Sequence, residues 1–91
     1  MQRAPDRAMI RCAFAMTLKT LRKRAGIAQE KLALEAGIER SYMSGMERGK
    51  HSPNLDTIYK ILPFLGVTFP QFAEEFEHSL RRVRKKPESA K

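Results

Sequence analysis

Gln29-Glu30-Lys31-Leu32-Ala33-Leu34-Glu35-Ala36-Gly37-Ile38-Glu39-Arg40-Ser41-Tyr42-Met43-Ser44-Gly45-Met46-Glu47-Arg48-Gly49 is the stretch that decides the fold. Its apolar residues recur at helical spacing in two short segments, 29–36 (Leu32, Ala33, Ala36) and 40–48 (Met43, Met46). Only Gly37-Ile38-Glu39 separates them, and Gly49 stops the second. A connection this short forces the two helices to cross steeply. Ala33 must then be small, because the next helix passes over it. Gly37 supplies the positive φ of the turn, and Ile38, Met43 and Met46 plug the angle between the helices. A small alanine followed four residues later by glycine, with apolar residues at these offsets, is the pattern of a helix-turn-helix. An ordinary αα-hairpin in a helical bundle uses the same turn chemistry, so spacing alone leaves both open.

Outward from this stretch the chain stays helical. Ile10, Phe14, Leu18, Leu21 and Ala25 recur every three or four residues and predict a helix over 8–25, ended by Gly26. Asn54 is placed to cap a fourth helix bearing Leu55, Ile58, Ile61, Leu62 and Leu65, which Pro63 is expected to distort or end near Leu62. A fifth helix begins after Gly66-Val67-Thr68, with Pro70 in its first turn and Phe69, Phe72, Phe76 and Leu80 along one side. No segment alternates with period two. The expectation is an all-α domain of five helices over residues 8–80, preceded by a flexible arm (1–7) in which Asp6 can cap the first helix. Residues 81–91 form a basic tail that either prolongs the fifth helix or hangs free.

With 91 residues the chain fits a single domain. No window is apolar enough to span a membrane. The N-terminal arginines lack the apolar run and cleavage pattern of a targeting peptide, so the expected location is the cytoplasm. Cys12 has no partner for an internal disulfide, and one cysteine with two histidines cannot make an ordinary structural zinc site. No paired carboxylates, nucleophile–base pair or phosphate loop suggests an enzyme, and no cofactor is expected. Charge is more telling: 18 basic residues against 10 acidic, net +8. Residues 1–24 carry +6, residues 25–80 carry −3, and residues 81–91 carry +5. Basic ends on a mildly acidic middle fit a polyanionic partner, nucleic acid before lipid, although such ends can also be merely solvated.

These residues, continued through Lys50 and Pro53-Asn54-Leu55, resemble the phage repressor and Cro (Xre-type) family over about residues 14–77. The run Arg40-Ser41-Tyr42-Met43-Ser44-Gly45 is most similar to controller proteins of restriction–modification systems. The resemblance implies a lambda-repressor-like fold and a sequence-specific transcriptional regulator, a homodimer on paired half-sites of double-stranded DNA. Such a regulator represses or activates, commonly at its own gene, with RNA polymerase a candidate partner. In about 64 residues of DNA-binding domain no small-molecule sensor is expected.

Carried over by position, Arg40, Ser41, Ser44 and Gly45 would face base edges, and Arg40 could hold guanine O6 and N7 in a bidentate fork. Gln29, Tyr42, Lys50 and Asn54 would contact the backbone, Gln29 from a helix N-terminus that Ala28 cannot cap. Glu47 would pair with Arg22 as a structural ion pair, while Phe64, Phe69, Phe72 and Phe76 would supply a dimer interface. Arg48 and His51 receive no role. An antitoxin or antiactivator that binds a partner protein, with DNA binding secondary, is the alternative; the short basic tail disfavours it.

Overall fold

The computed structural model describes residues 4–85, which form five helices and no strand: α1 (Arg7–Ala25), α2 (Gln29–Ala36), α3 (Arg40–Glu47), α4 (Leu55–Leu65) and α5 (Phe69–Lys85). The chemistry of the helix ends explains most of these limits. Asp6 accepts a hydrogen bond from the Met9 N–H at 2.9 Å, and Asn54 accepts one from the Thr57 N–H at 2.9 Å. Thr68 and Gln71 form a reciprocal capping box at the start of α5: the Thr68 N–H donates to Gln71 Oε1, and the Gln71 N–H to Thr68 Oγ1. Helices α2 and α3, preceded by Ala28 and Glu39, have no side-chain cap.

Two elements differ from the sequence expectation. Helix α4 continues through Pro63 to Leu65 instead of ending near Leu62. Pro63 lies in the last turn, three residues before the Gly66 cap, and faces solvent. The one backbone donor it lacks leaves the Tyr59 carbonyl, on an exposed face, to water, so the helix has little to lose by continuing. Helix α5 runs across the expected boundary at residue 80 as far as Lys85. Residues 86–91, the rest of the expected tail, and 1–3 of the expected arm lie outside the described residues.

The core is one cluster drawn from all five helices: Phe14, Leu18 and Leu21 of α1, Leu32 and Ala33 of α2, Met43 and Met46 of α3, Ile61, Leu62 and Leu65 of α4, and Phe72 of α5. Ala25 and Leu55, grouped by spacing with the apolar positions, are exposed instead. The longest helices, α1 and α5, lie against each other, with the Phe14 and Phe72 rings 5.9 Å apart. Between them sits a buried polar contact. Thr17 Oγ1 donates to the Ala13 carbonyl at 2.8 Å, and the Ser79 hydroxyl lies 3.0 Å from it. Because Thr17 has a single proton, Ser79 is the donor in the second bond.

This pair gives a stability test. Thr17→Val alone strands the Ser79 hydroxyl and should cost about 1–3 kcal/mol, whereas Thr17→Val with Ser79→Ala removes both partners and should recover much of the loss. Urea unfolding of wild type and the two variants checks this; a double variant no more stable than Thr17→Val alone would contradict it.

Candidate nucleic-acid interface

The α2–α3 turn is built as the spacing predicts. Gly37 sits at φ +70° and the Ile38 N–H donates to the Ala33 carbonyl at 2.8 Å, closing α2. Ala33, Met43 and Met46 are buried and Ile38 packs beside them, so the crossing is filled by the expected residues.

Behind this unit lies an ionic joint. Arg22 of α1 meets Glu47 of α3 through two bonds, Nε to Oε2 at 2.5 Å and Nη2 to Oε1 at 3.1 Å. Arg22 Nη1 also donates to the Ile27 carbonyl at 2.9 Å, and Gln29 Nε2 of α2 donates to Glu47 Oε1 at 3.1 Å. One carboxylate, 4% exposed, thereby ties three helices together. Gln29 is thus anchored from behind, with its second amide hydrogen and the uncapped backbone N–H groups of α2 still available.

The outer face of the unit is polar. Arg40 and Ser41 are exposed at the start of α3, and Arg40 Nη2 donates to Glu30 Oε2 of α2 at 2.9 Å. Both side chains of that pair are more than 70% exposed, so it is worth about 0–1 kcal/mol and yields readily to a stronger acceptor. Ser44, one turn on, accepts from Arg48 Nη1 at 2.7 Å. The Lys50 side chain is exposed in the following loop, and Asn54, while capping α4, keeps its amide N–H groups.

Gly45 does not belong to this outer face. It is buried, and a Cβ there would lie 2.5 Å from Cδ2 and 2.6 Å from Nε2 of His51. Its missing side chain makes room for an imidazole and cannot expose a base pair to the backbone. His51 also stacks on Tyr42, ring centroids 4.8 Å apart and planes 24° from parallel. A loop histidine carries no periodicity, so no spacing rule places His51 against Gly45 and Tyr42.

The four phenylalanines assigned to an interface separate. Phe72 is 3% exposed and belongs to the core of the single chain, so it cannot supply an intermolecular face. Phe69 and Phe76 lie half-buried at the rim of an apolar groove of about 210 Å³ shared with Ile10, Pro53 and Ile58, and Phe64 is exposed. Leu55 and Tyr59, not among the residues expected at an interface, are both exposed on α4, and Tyr59 stacks on Phe69 at 5.4 Å. Their spacing of four residues was the available signal. Among the described residues no group of three or more His, Cys, Asp or Glu could hold a metal ion, and no helix is long and apolar enough to cross a membrane.

Two short helices joined by a glycine turn, braced from behind and with a polar outer face, are the geometry of a helix-turn-helix. The helix-turn-helix family model HTH_3 matches residues 18–72, more than half of the chain, and the chain belongs to this Xre-type family. Among its relatives, control protein C.BamHI of Bacillus amyloliquefaciens is 41% identical over 59 residues, covering 64% of this chain and 73% of the relative. Control protein C.MunI of Mycoplasma sp is 33% identical over 69 residues, covering 75% and 93%. The fold is similar to that of the restriction–modification controller protein C.Esp1396I, solved as a tetramer in complex with its natural 35 base-pair operator. The TM-score is 0.71 at 25% identity, with 78% of this chain and 93% of that chain covered.

The joint at Glu47 makes a prediction. Glu47→Ala leaves the Arg22 guanidinium, 15% exposed, without its carboxylate and should cost about 3–5 kcal/mol, a large part of the 5–15 kcal/mol typical of whole domains. A drop in urea midpoint corresponding to less than about 1 kcal/mol would mean that water or Gln29 replaces the carboxylate.

Proposed function

We propose that this chain is a sequence-specific DNA-binding transcriptional regulator that acts as a homodimer on paired half-sites, and that it controls its own promoter. The observation that carries this reading is the rigid α2–α3 unit, welded through Glu47 to α1, whose outer face offers Arg40, Ser41 and Ser44 to solvent. Those three would read base edges. Gln29, Tyr42, Lys50 and Asn54 would contact the sugar-phosphate backbone, where they set register without carrying sequence information. Such a protein regulates by occupancy, with no reaction of its own, in the compartment that holds the DNA. It blocks polymerase from over a promoter or contacts it from just upstream. Basic residues of the 81–91 tail would add sequence-independent attraction.

The dimer partner is a second copy of this chain, seated on the apolar surface of Leu55, Tyr59, Phe69 and Phe76, with the exposed Phe64 further along α4. Aromatic and aliphatic groups brought together and left exposed are what a recognition surface requires. The tetramer of the similar controller on its operator supports self-association as the mode of action.

Footprinting on DNA upstream of the chain's own gene tests this reading, and two symmetric protected half-sites are expected. Arg40→Ala should weaken operator binding by about 1–3 kcal/mol and relax preference at one base pair per half-site, a larger effect than the exposed Glu30 pair can offset. Equal losses on operator and random DNA would make Arg40 a backbone contact.

For the assembly, Tyr59→Glu should leave the fold intact, yield a monomer in sedimentation, and weaken operator binding at least about tenfold. A wild-type chain that is monomeric at high micromolar concentration would sink the interface.

A further inference from the structure

Glycine is the poorest helix former apart from proline, yet Gly45 stands in the last turn of α3, three residues before the Arg48 cap, with no positive φ to require it. The only reason on view is steric. The two contacts a Cβ would make with the His51 ring, 2.5 Å to Cδ2 and 2.6 Å to Nε2, are closer than non-bonded heavy atoms of these kinds approach one another. The ring therefore lies in a socket whose floor is Gly45 and whose side wall is Tyr42, three residues earlier on the same face of α3. The loop backbone is pinned to the same spot, because the Lys50 N–H donates to the Gly45 carbonyl at 2.8 Å.

We infer that His51 is a positioning residue that fixes the loop between α3 and α4, and with it Lys50, against α3, the helix that carries Ser41 and Ser44. The inference rests on the DNA-binding reading above. Backbone contacts set where a protein stands on the duplex, and base contacts then read what lies opposite them. The two serve each other only if their separation is constant. Here the backbone-contacting loop and the base-reading helix meet at one plugged joint, in which the imidazole also holds Tyr42 by its ring face. A loosened joint would let Lys50 find a phosphate with α3 misplaced against the bases. Affinity for random DNA would survive and preference for the operator would fall.

Binding of operator and random DNA across a salt series, with urea unfolding of each chain, tests this in wild type, His51→Ala, His51→Phe, Gly45→Ala and the double variant Gly45→Ala with His51→Ala. We expect His51→Ala to lower the operator-to-random ratio by about tenfold with the salt slope unchanged. His51→Phe, which refills the socket with an uncharged ring, should restore the ratio. Gly45→Ala should lower it comparably, and adding His51→Ala should bring no further loss, since the clash then has no ring to meet. An unchanged ratio in His51→Ala overturns the inference, as does a loss on both DNAs with a shallower slope that phenylalanine cannot rescue; that outcome makes His51 a direct phosphate contact. Losses that merely follow the unfolding midpoint overturn it too. A wild type without operator preference overturns the DNA reading itself, which separates that failure from failure of the joint alone.

Discussion

One buried carboxylate organises the functional half of this molecule. Glu47 is almost wholly withdrawn from water, and an ion so placed is tolerable only when its oxygens are occupied. Arg22 fills both oxygens from α1 and Gln29 adds a bond from α2. The demand for satisfaction therefore becomes a geometrical instruction, since α1, α2 and α3 must meet at one point for the charge to be paired. Apolar packing around Ala33, Met43 and Met46 sets how closely the helices approach. It does not set their rotation, and the fork of a guanidinium on a carboxylate is directional in a way that methionine contacts are not.

A rigid back contrasts with a plain front. On the outward side of α2 and α3 the interactions are single, exposed and weak, namely Arg40 with Glu30 and Arg48 with Ser44. Side chains held so lightly are ordered in the free protein at little cost and can exchange partners when a polyanion arrives. The unequal helix starts belong to the same division of labour. Helices α1, α4 and α5 are closed by Asp6, Asn54 and the Thr68–Gln71 box, whereas α2 and α3 begin with free backbone donors.

What the sequence reveals here depends on the range of the interaction. Local rules read the α2–α3 turn correctly, because Ala33, Gly37 and Ile38 meet within six residues. The Thr68–Gln71 capping box, a four-residue pattern, is equally local. The Arg22–Glu47 pair spans 25 residues, and no spacing rule yields it; only family resemblance implies it. Periodicity put Phe69, Phe72 and Phe76 on one side of a helix but could not tell which of them α1 covers, and Phe14 settles that for Phe72. Gly45 misled for a related reason. A missing side chain reads as open space until the residue that occupies the space, six positions away in a loop, is known. Pro63 misled because a helix breaker matters less the nearer it stands to a helix end.

The pairing of α1 with α5 has a consequence in time. Thr17 and Ser79 are separated by 62 positions, and α1 has its broadest neighbour in α5, which leaves the ribosome after the other four helices. The contacts that define α2 and α3 are short-range and can form as soon as their residues emerge, while closing the longer loop carries an entropic charge that only the assembled α1–α5 surface offsets. During synthesis the helix-turn-helix therefore exists for some time as a nascent, incompletely supported hairpin. At 5–20 residues per second, roughly two to six seconds separate the emergence of Glu47 from that of Ser79. For a protein proposed to govern its own promoter, folding thus adds its own delay between a transcript and the molecule that answers it.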